Sequence, residues 1–302
     1  MLRYRGELAV TEPADTRAYL QSGQLCSQVP RGFFCLAKGV MLATSVVAGI
    51  ALHAARADES ALPNIVFILA DDVGYTDIGA YRSAVLGTPP VVPTPSLDRL
   101  ADEGIRFMDA HSTAAVCAPT RYCAMSGNYP VRGRKSWGTW GFNQGPQFRD
   151  GQLSVAGMLP DIYKSAFIGK RHLGGDWYNR EGELYRDDDL SQIDFTRPEE
   201  NSPSALGFDY LFIAPNGIQG QPYAFFENDF YTPLAGPGDL EMVFHEAGDS
   251  GSGNMPIDGW GDPDWDSSLV GPILADKAVK FIAAHHELNE ASGKNDPFLL
   301  VY

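Results

Sequence analysis

The chain holds 302 residues, 44% of them apolar, which is enough to bury one large α/β core or two modest domains and excludes intrinsic disorder and the miniprotein classes. Against 23 lysines and arginines stand 38 aspartates and glutamates, a formal charge of -15. That balance opposes any broad electrostatic grip on nucleic acid or on an anionic membrane surface.

Residues 39–52 (GVMLATSVVAGIAL) form an uncharged, mostly apolar run directly after Lys38. The run is shorter than the ~20 residues that span a bilayer. It suits the apolar region of a signal peptide, and Ala55-Arg56-Ala57 supplies the small-x-small pattern read at cleavage. We therefore expect residues 1–57 to be a leader and residues 58–302 an exported body, periplasmic or secreted, with no stable membrane anchor. Cleavage would remove six basic and three acidic residues and leave the body more acidic still. It would also take away Cys26 and Cys35, leaving Cys117 and Cys123. Six positions apart on a helix, these two sit on different faces and make a poor bridge.

In the body, residues 64–70 (NIVFILA) read as a parallel strand buried on both faces, ending at Asp71-Asp72-Val73-Gly74. Residues 81–95 read as loop, followed by a helix through Leu97, Leu100 and Ala101. A second strand is expected over 105–110, then a loop and a helix opened by Cys117-Ala118-Pro119-Thr120-Arg121, with Pro119 in its first turn. Residues 133–151, with Trp137 and Trp140, read as a surface loop carrying aromatic platforms. A helix near 153–162 leads to a short strand over 165–168, which runs into Lys170-Arg171-His172. Another strand is expected over 208–214 and loop from 215 to 267. Residues 268–285 have an amphipathic helical pattern with Leu269, Ile273, Leu274, Ala278, Phe281 and Ile282 on one side. A last buried strand begins at Pro297. Asp262, Asp264 and Asp266 mimic the opening of a calcium loop, but Ser267 and Ile273 stand where such a loop needs Gly and Glu, so a solvated turn capping the next helix is the better reading.

The chemistry-bearing residues fall into three groups. Open α/β sheets bind ligands at the carboxyl ends of their strands, which makes the Asp71-Asp72 pair a candidate. The alternative is a helix cap with a solvated neighbour. Cys117 and Arg121, four apart, share one helix face at an N-terminus whose N–H groups favour a tetrahedral oxyanion. Lys170 and His172, two apart in an extended stretch, project to one side while Arg171 points away.

In this order the segments resemble the sulfatase family, within the alkaline-phosphatase-like superfamily. The matches are PNIVFILADDVGYTDIG, then TPSLDRLADEGIRFMDAHSTAAVCAPTRYCAMSG with its C-x-P-x-R signature, then IGKRHLG, then GFDYLFIAPN continuing to PYAFFEND. The resemblance as a whole runs from Pro63 to Tyr302. The resemblance implies an α/β fold with a mostly parallel central sheet and helices on both faces. It also implies hydrolysis of sulfate esters, with carbohydrates the expected substrates. Cys117 would be oxidised to formylglycine by a dedicated formylglycine-generating enzyme. Of the hydrated aldehyde, one hydroxyl would attack sulfur and the other would then expel sulfate. A divalent cation, Ca2+ before Mg2+, would be held by Asp71, Asp72 and the residue made from Cys117. Arg121 would hold the formylglycine and neighbouring charge, Lys170 the sulfate oxygens, and His172 would take the proton that triggers sulfate release.

Three departures stand out. Arg171 replaces a usual Trp, with little effect expected from its far side of the strand, and Asn128 replaces a usual Arg. The family also continues past the strand at 298–302 with further metal ligands, a histidine, a second lysine and a smaller domain, so the fold is expected to be C-terminally incomplete. Two other readings remain: a formylglycine-dependent phosphonate or phosphodiester hydrolase, and a non-catalytic secreted remnant.

Overall fold

The computed structural model describes residues 62–202, 206–238, 240–248 and 255–302, so the expected leader and its cleavage site lie outside the described residues. In chain order come β1 (Ile65–Phe67), α1 (Gly79–Leu86), α2 (Pro95–Glu103), α3 (Cys117–Ser126), β2 (Lys164–Lys170), β3 (Trp177–Tyr178), β4 (Leu184–Tyr185) and β5 (Tyr210–Ala214). There follow β6 (Phe225–Glu227), β7 (Phe230–Thr232), β8 (Val243–His245), β9 (Gly259–Gly261), α4 (Val270–Ser292) and β10 (Phe298–Val301). Six strands form one sheet in the order β1-β10-β2-β5-β6-β7. The first four are mutually parallel, whereas β6 runs antiparallel to β5 and β7 to β6. β3 pairs with β4 and β8 with β9 as separate ribbons.

Side chains alternate across a strand, and the sheet uses both faces. Phe167, Leu211, Ile213, Phe226, Leu299 and Val301 join Ala118, Tyr122, Cys123 and Met125 of α3 in one core cluster. Ala166, Ile168, Phe212, Phe225, Phe298 and Leu300 join Val270 and Ala278 of α4 in the other, with Ile273, Leu274, Phe281 and Ile282 packed against them. Helices therefore cover both faces of a mostly parallel sheet, as expected. β1 differs from expectation: among the described residues it stands at one end of the sheet with β10 as its one sheet neighbour, and Val66 and Phe67 are exposed.

Other expectations are corrected by chain context. Residues 105–110 form no strand, and Ile105, Phe107 and Met108 are exposed. The helix expected over 153–162 shrinks to a single 3-10 turn, Ala156–Met158, between residues that suit a helix badly, Gly157 inside it and Pro160 just beyond. Part of the expected loop at 81–95 is instead α1, because its N-terminal N–H groups are capped from α2 and the residue before it: Gly79 N donates to Thr94 Oγ1 at 2.8 Å and Ala80 N to Asp98 Oδ1 at 2.7 Å. The long stretch from 215 contains β6 to β9. Trp137 is exposed, but Trp140 is buried against Tyr122 and offers no platform. Asp266 caps the turn before α4 by accepting from Ser268 N at 2.9 Å, whereas Asp262 is buried, accepting from Tyr231 Oη and Leu234 N, each at 2.8 Å. Asp266 thus caps as expected, but Asp262 is not solvated.

Candidate active site

The carboxyl ends of β1 and β2 lie on the same edge of a parallel sheet, and α3 begins beside them. A cavity of about 330 Å3 opens there, lined by Asp71, Asp72, Cys117, Thr120 and Arg121 among others. Cys117 is the first residue of α3, with extended Val116 before it. Its Sγ lies 3.2 Å from His172 Nδ1. Both Cys117 and Cys123 are free, in keeping with the expected lack of a bridge.

Arg121, one turn along α3, is almost fully buried and serves as a tie between three elements. Its Nη1 donates to the Lys170 carbonyl at 2.6 Å, and its Nη2 stands 3.4 Å from Asp71 Oδ1. Lys170 Nζ lies 2.6 Å from the other oxygen, Asp71 Oδ2. Burial alone would raise the Asp71 carboxyl, but the Lys170 hydrogen bond and the Arg121 and Lys170 charges outweigh it and hold the carboxyl below the usual range. His172 follows β2 with a left-handed φ of 51°, a departure from the extended stretch expected. Burial, reinforced by Lys170 and Arg121, lowers its imidazole to about 4. The ring is therefore neutral near pH 7 in this arrangement.

Although the backbone at His172 is not the extended one on which the expectation rested, Lys170 and His172 reach the site together, as expected, and Arg171 points away. Its far side is not inert, however. The Arg171 side chain is fully buried, with Nη1 2.5 Å from Glu199 Oε2 in an ion pair whose two side chains are both 0% exposed. Burial pushes the Glu199 carboxyl up to about 7 against the pull of Arg171. Neither side chain has a well-formed hydrogen bond among the described residues.

Sequence reasoning missed Glu199 and Gln219. Gln219 lies in the loop after β5, where its Oε1 accepts from Lys170 Nζ and its Nε2 donates to Asp72 Oδ2. No local signal marks either residue, since each is joined to the site across tens of positions of sequence.

A divalent cation is implied by the resemblance. Asp71 and Asp72 are hard oxygen donors at one strand end and fit such a cation in kind, but they supply only part of the six to eight oxygens that calcium takes. Among the described residues no group of three or more His, Cys, Asp or Glu side chains is placed to hold a metal ion. The expected trio is accordingly not drawn together as one cluster: Asp71 turns to Lys170 and Arg121, Asp72 to Gln219, and Cys117 to His172.

The sulfatase family model matches residues 63–301. An N-acetylgalactosamine-6-O-sulfatase of Bacteroides thetaiotaomicron is 27% identical over 265 residues, covering 79% of this chain and 47% of that protein. Human arylsulfatase A is 38% identical over 117 residues, covering 37% of this chain and 21% of that protein. A solved Bacteroides thetaiotaomicron structure, described with the metabolism of multiple glycosaminoglycans, superposes with a TM-score of 0.60 at 27% identity, covering 80% of this chain and 51% of that one. The chain thus spans about half the length of that sulfatase and of that solved structure, at 47% and 51%.

Proposed function

Because this chain belongs to the sulfatase family, we propose that it serves the hydrolysis of sulfate esters on sulfated carbohydrates, with Cys117 as the precursor of its nucleophile. The observation that carries the reading is the placement of Cys117 at the N-terminus of α3, with its Sγ 3.2 Å from a histidine and its helix partner Arg121 bound to the same strand end as Lys170. Conversion to formylglycine by a generating enzyme would supply a hydrated aldehyde as the attacking group, and a divalent cation held in part by Asp71 and Asp72, calcium before magnesium, would supply Lewis acidity.

The chain's own residues account for the rest. The N–H groups of Cys117 and Ala118 at the start of α3, and the Lys170 ammonium beside the cavity, offer donors to sulfate oxygens, where such preorganised contacts stabilise developing charge more than water does. Arg121 holds Asp71 and the Lys170 carbonyl in register, so the two strand ends and the nucleophile keep one geometry. His172, held neutral, takes the proton whose removal lets sulfate depart. We further propose that the protein is exported by its N-terminal leader and meets the generating enzyme as its maturation partner.

The test is to coexpress the chain with a formylglycine-generating enzyme, measure the mass of the Cys117 peptide, and compare rates on aryl sulfate, aryl phosphate and an aryl phosphonate. An aldehyde mass with preference for aryl sulfate supports the reading. Preference for the phosphorus esters assigns the site to the phosphonate or phosphodiester class. Turnover by the unmodified thiol refutes the formylglycine mechanism, and an unmodified, inactive chain supports a non-catalytic remnant.

A further inference from the structure

Gln219 lies on a loop that the fold holds tightly against the candidate site. Arg171 N donates to the Ala214 carbonyl at 3.2 Å and His172 N to the Pro215 carbonyl at 2.7 Å, so the loop leaves β5 in step with the Lys170–His172 turn. Asn216 Nδ2 then donates to the Gln221 carbonyl at 2.6 Å and closes the loop on itself. The Lys170 stem runs over Gly217, where an added Cβ would stand 2.8 Å from Lys170 Cδ. At the tip, the Gln219 side chain spans the gap between Lys170 Nζ and Asp72 Oδ2.

The chemistry of those two partners restricts what can stand between them. An ammonium only donates, and an ionised carboxylate only accepts, so the bridging group must accept at one end and donate at the other. A primary amide does both without charge. Glutamate has no donor for Asp72, lysine has no acceptor for Lys170, and asparagine is one methylene shorter.

We infer that Gln219 is a positioning residue of this site: it sets the spacing between Lys170, the anion-holding cation, and Asp72, the cation-holding carboxylate. This rests on the sulfatase reading of the same residues and extends it to the loop after β5. The bridge also divides Lys170 between Asp71 and Gln219, which keeps the ammonium from lying wholly on Asp71. Without Gln219, Lys170 settles on Asp71, competing there with both a bound cation and a bound anion. A carboxylate at position 219 does the reverse for the cation, drawing Lys170 away from Asp71 and adding negative charge beside Asp72.

The experiment titrates the full chain and its Gln219→Ala and Gln219→Glu variants with calcium chloride and, separately, with sodium sulfate by calorimetry, with thermal melting as the control for folding. Gln219 is exposed, so both variants are expected to melt with the wild type. Gln219→Ala is expected to weaken calcium binding about tenfold, the low end for loss of a group that orients a metal ligand, and sulfate binding about fivefold, one net hydrogen bond. Gln219→Glu is expected to tighten calcium and weaken sulfate through its added charge, whereas Gln219→Ala adds no charge and is expected to weaken both ions at an unchanged melting temperature, a joint loss that a merely structural residue would not produce. Equal affinities in all three proteins overturn the proposal, as does a wild-type chain that takes up neither ion. If the ions bind as expected but the matured protein turns over no aryl sulfate, the sulfatase reading fails while the role of Gln219 stands.

Discussion

Arg171 and Glu199 offer the sharpest stability test of the architecture behind the site. Both side chains are fully excluded from solvent and 2.5 Å apart, and neither has a well-formed hydrogen bond among the described residues to offset its desolvation. Breaking a buried pair by removing one partner costs about 3–5 kcal/mol, whereas replacing both by apolar groups is often neutral or stabilising. The two single variants should differ. Glu199→Met strands a guanidinium that stays charged at any working pH, and should show the full ~3–5 kcal/mol, a fall in Tm of roughly 6–20 °C for a domain of this size. Arg171→Met strands a carboxyl that can take up a proton, so its penalty should be smaller near pH 5.5 and grow toward pH 8.

The sign follows from linkage. Burial raises the folded Glu199 carboxyl from 4.5 to about 7, so between those values the folded state holds a proton that the unfolded state has lost, and the contribution to stability falls as pH rises through that window. Removing Arg171 takes away the charge that lowers this carboxyl, and the fall should continue above pH 7. Scanning calorimetry of wild type, both singles and Arg171→Met/Glu199→Met at pH 5.5 and 8 checks this. A double variant no more stable than the worse single, or an Arg171→Met penalty that does not change with pH, would refute the reasoning.

Two further outcomes concern the site itself. Lys170→Ala should lower kcat/KM on aryl sulfate by about a hundredfold to a thousandfold, the loss of one preorganised donor, and steady-state kinetics showing the wild-type value would remove Lys170 from the reaction. Asp71→Asn should lower calcium content and turnover together, since Asp71 is both a cation ligand in kind and the counter-charge of Lys170 and Arg121; elemental analysis showing calcium retained at full occupancy would make Asp71 a structural partner of the two cations alone.

The core strands and the main site residues were legible in the sequence because their signals are local. Apolar runs at 165–168, 208–214 and 297–302 became β2, β5 and β10, for a continuous run is what a strand covered on both faces needs. The pattern after residue 268 became α4, since one apolar stripe at helical spacing buries against one layer. Asp71, Cys117, Arg121, Lys170 and His172 could be singled out because each lies at a strand end or helix start, where side chains converge in a parallel sheet. The expected helix over 153–162 failed for the local reason of Gly157 and Pro160, whereas other misreadings were decided by partners distant in sequence. α1 draws its caps from Thr94 and Asp98, and Trp140 is buried by a contact with Tyr122.

Residue type and local spacing thus pointed to the groups that gather at the strand ends and to the segments that must be buried, because apolar periodicity and helix or strand ends act over a few residues. Only the tertiary structure decided that Arg171 is a buried charge answered by Glu199, 28 positions on, and that Gln219 joins Lys170 to Asp72, 147 positions apart from it in the chain. Ion pairs and hydrogen bonds act over a few ångströms whatever the sequence separation, so no spacing rule in one dimension announces them.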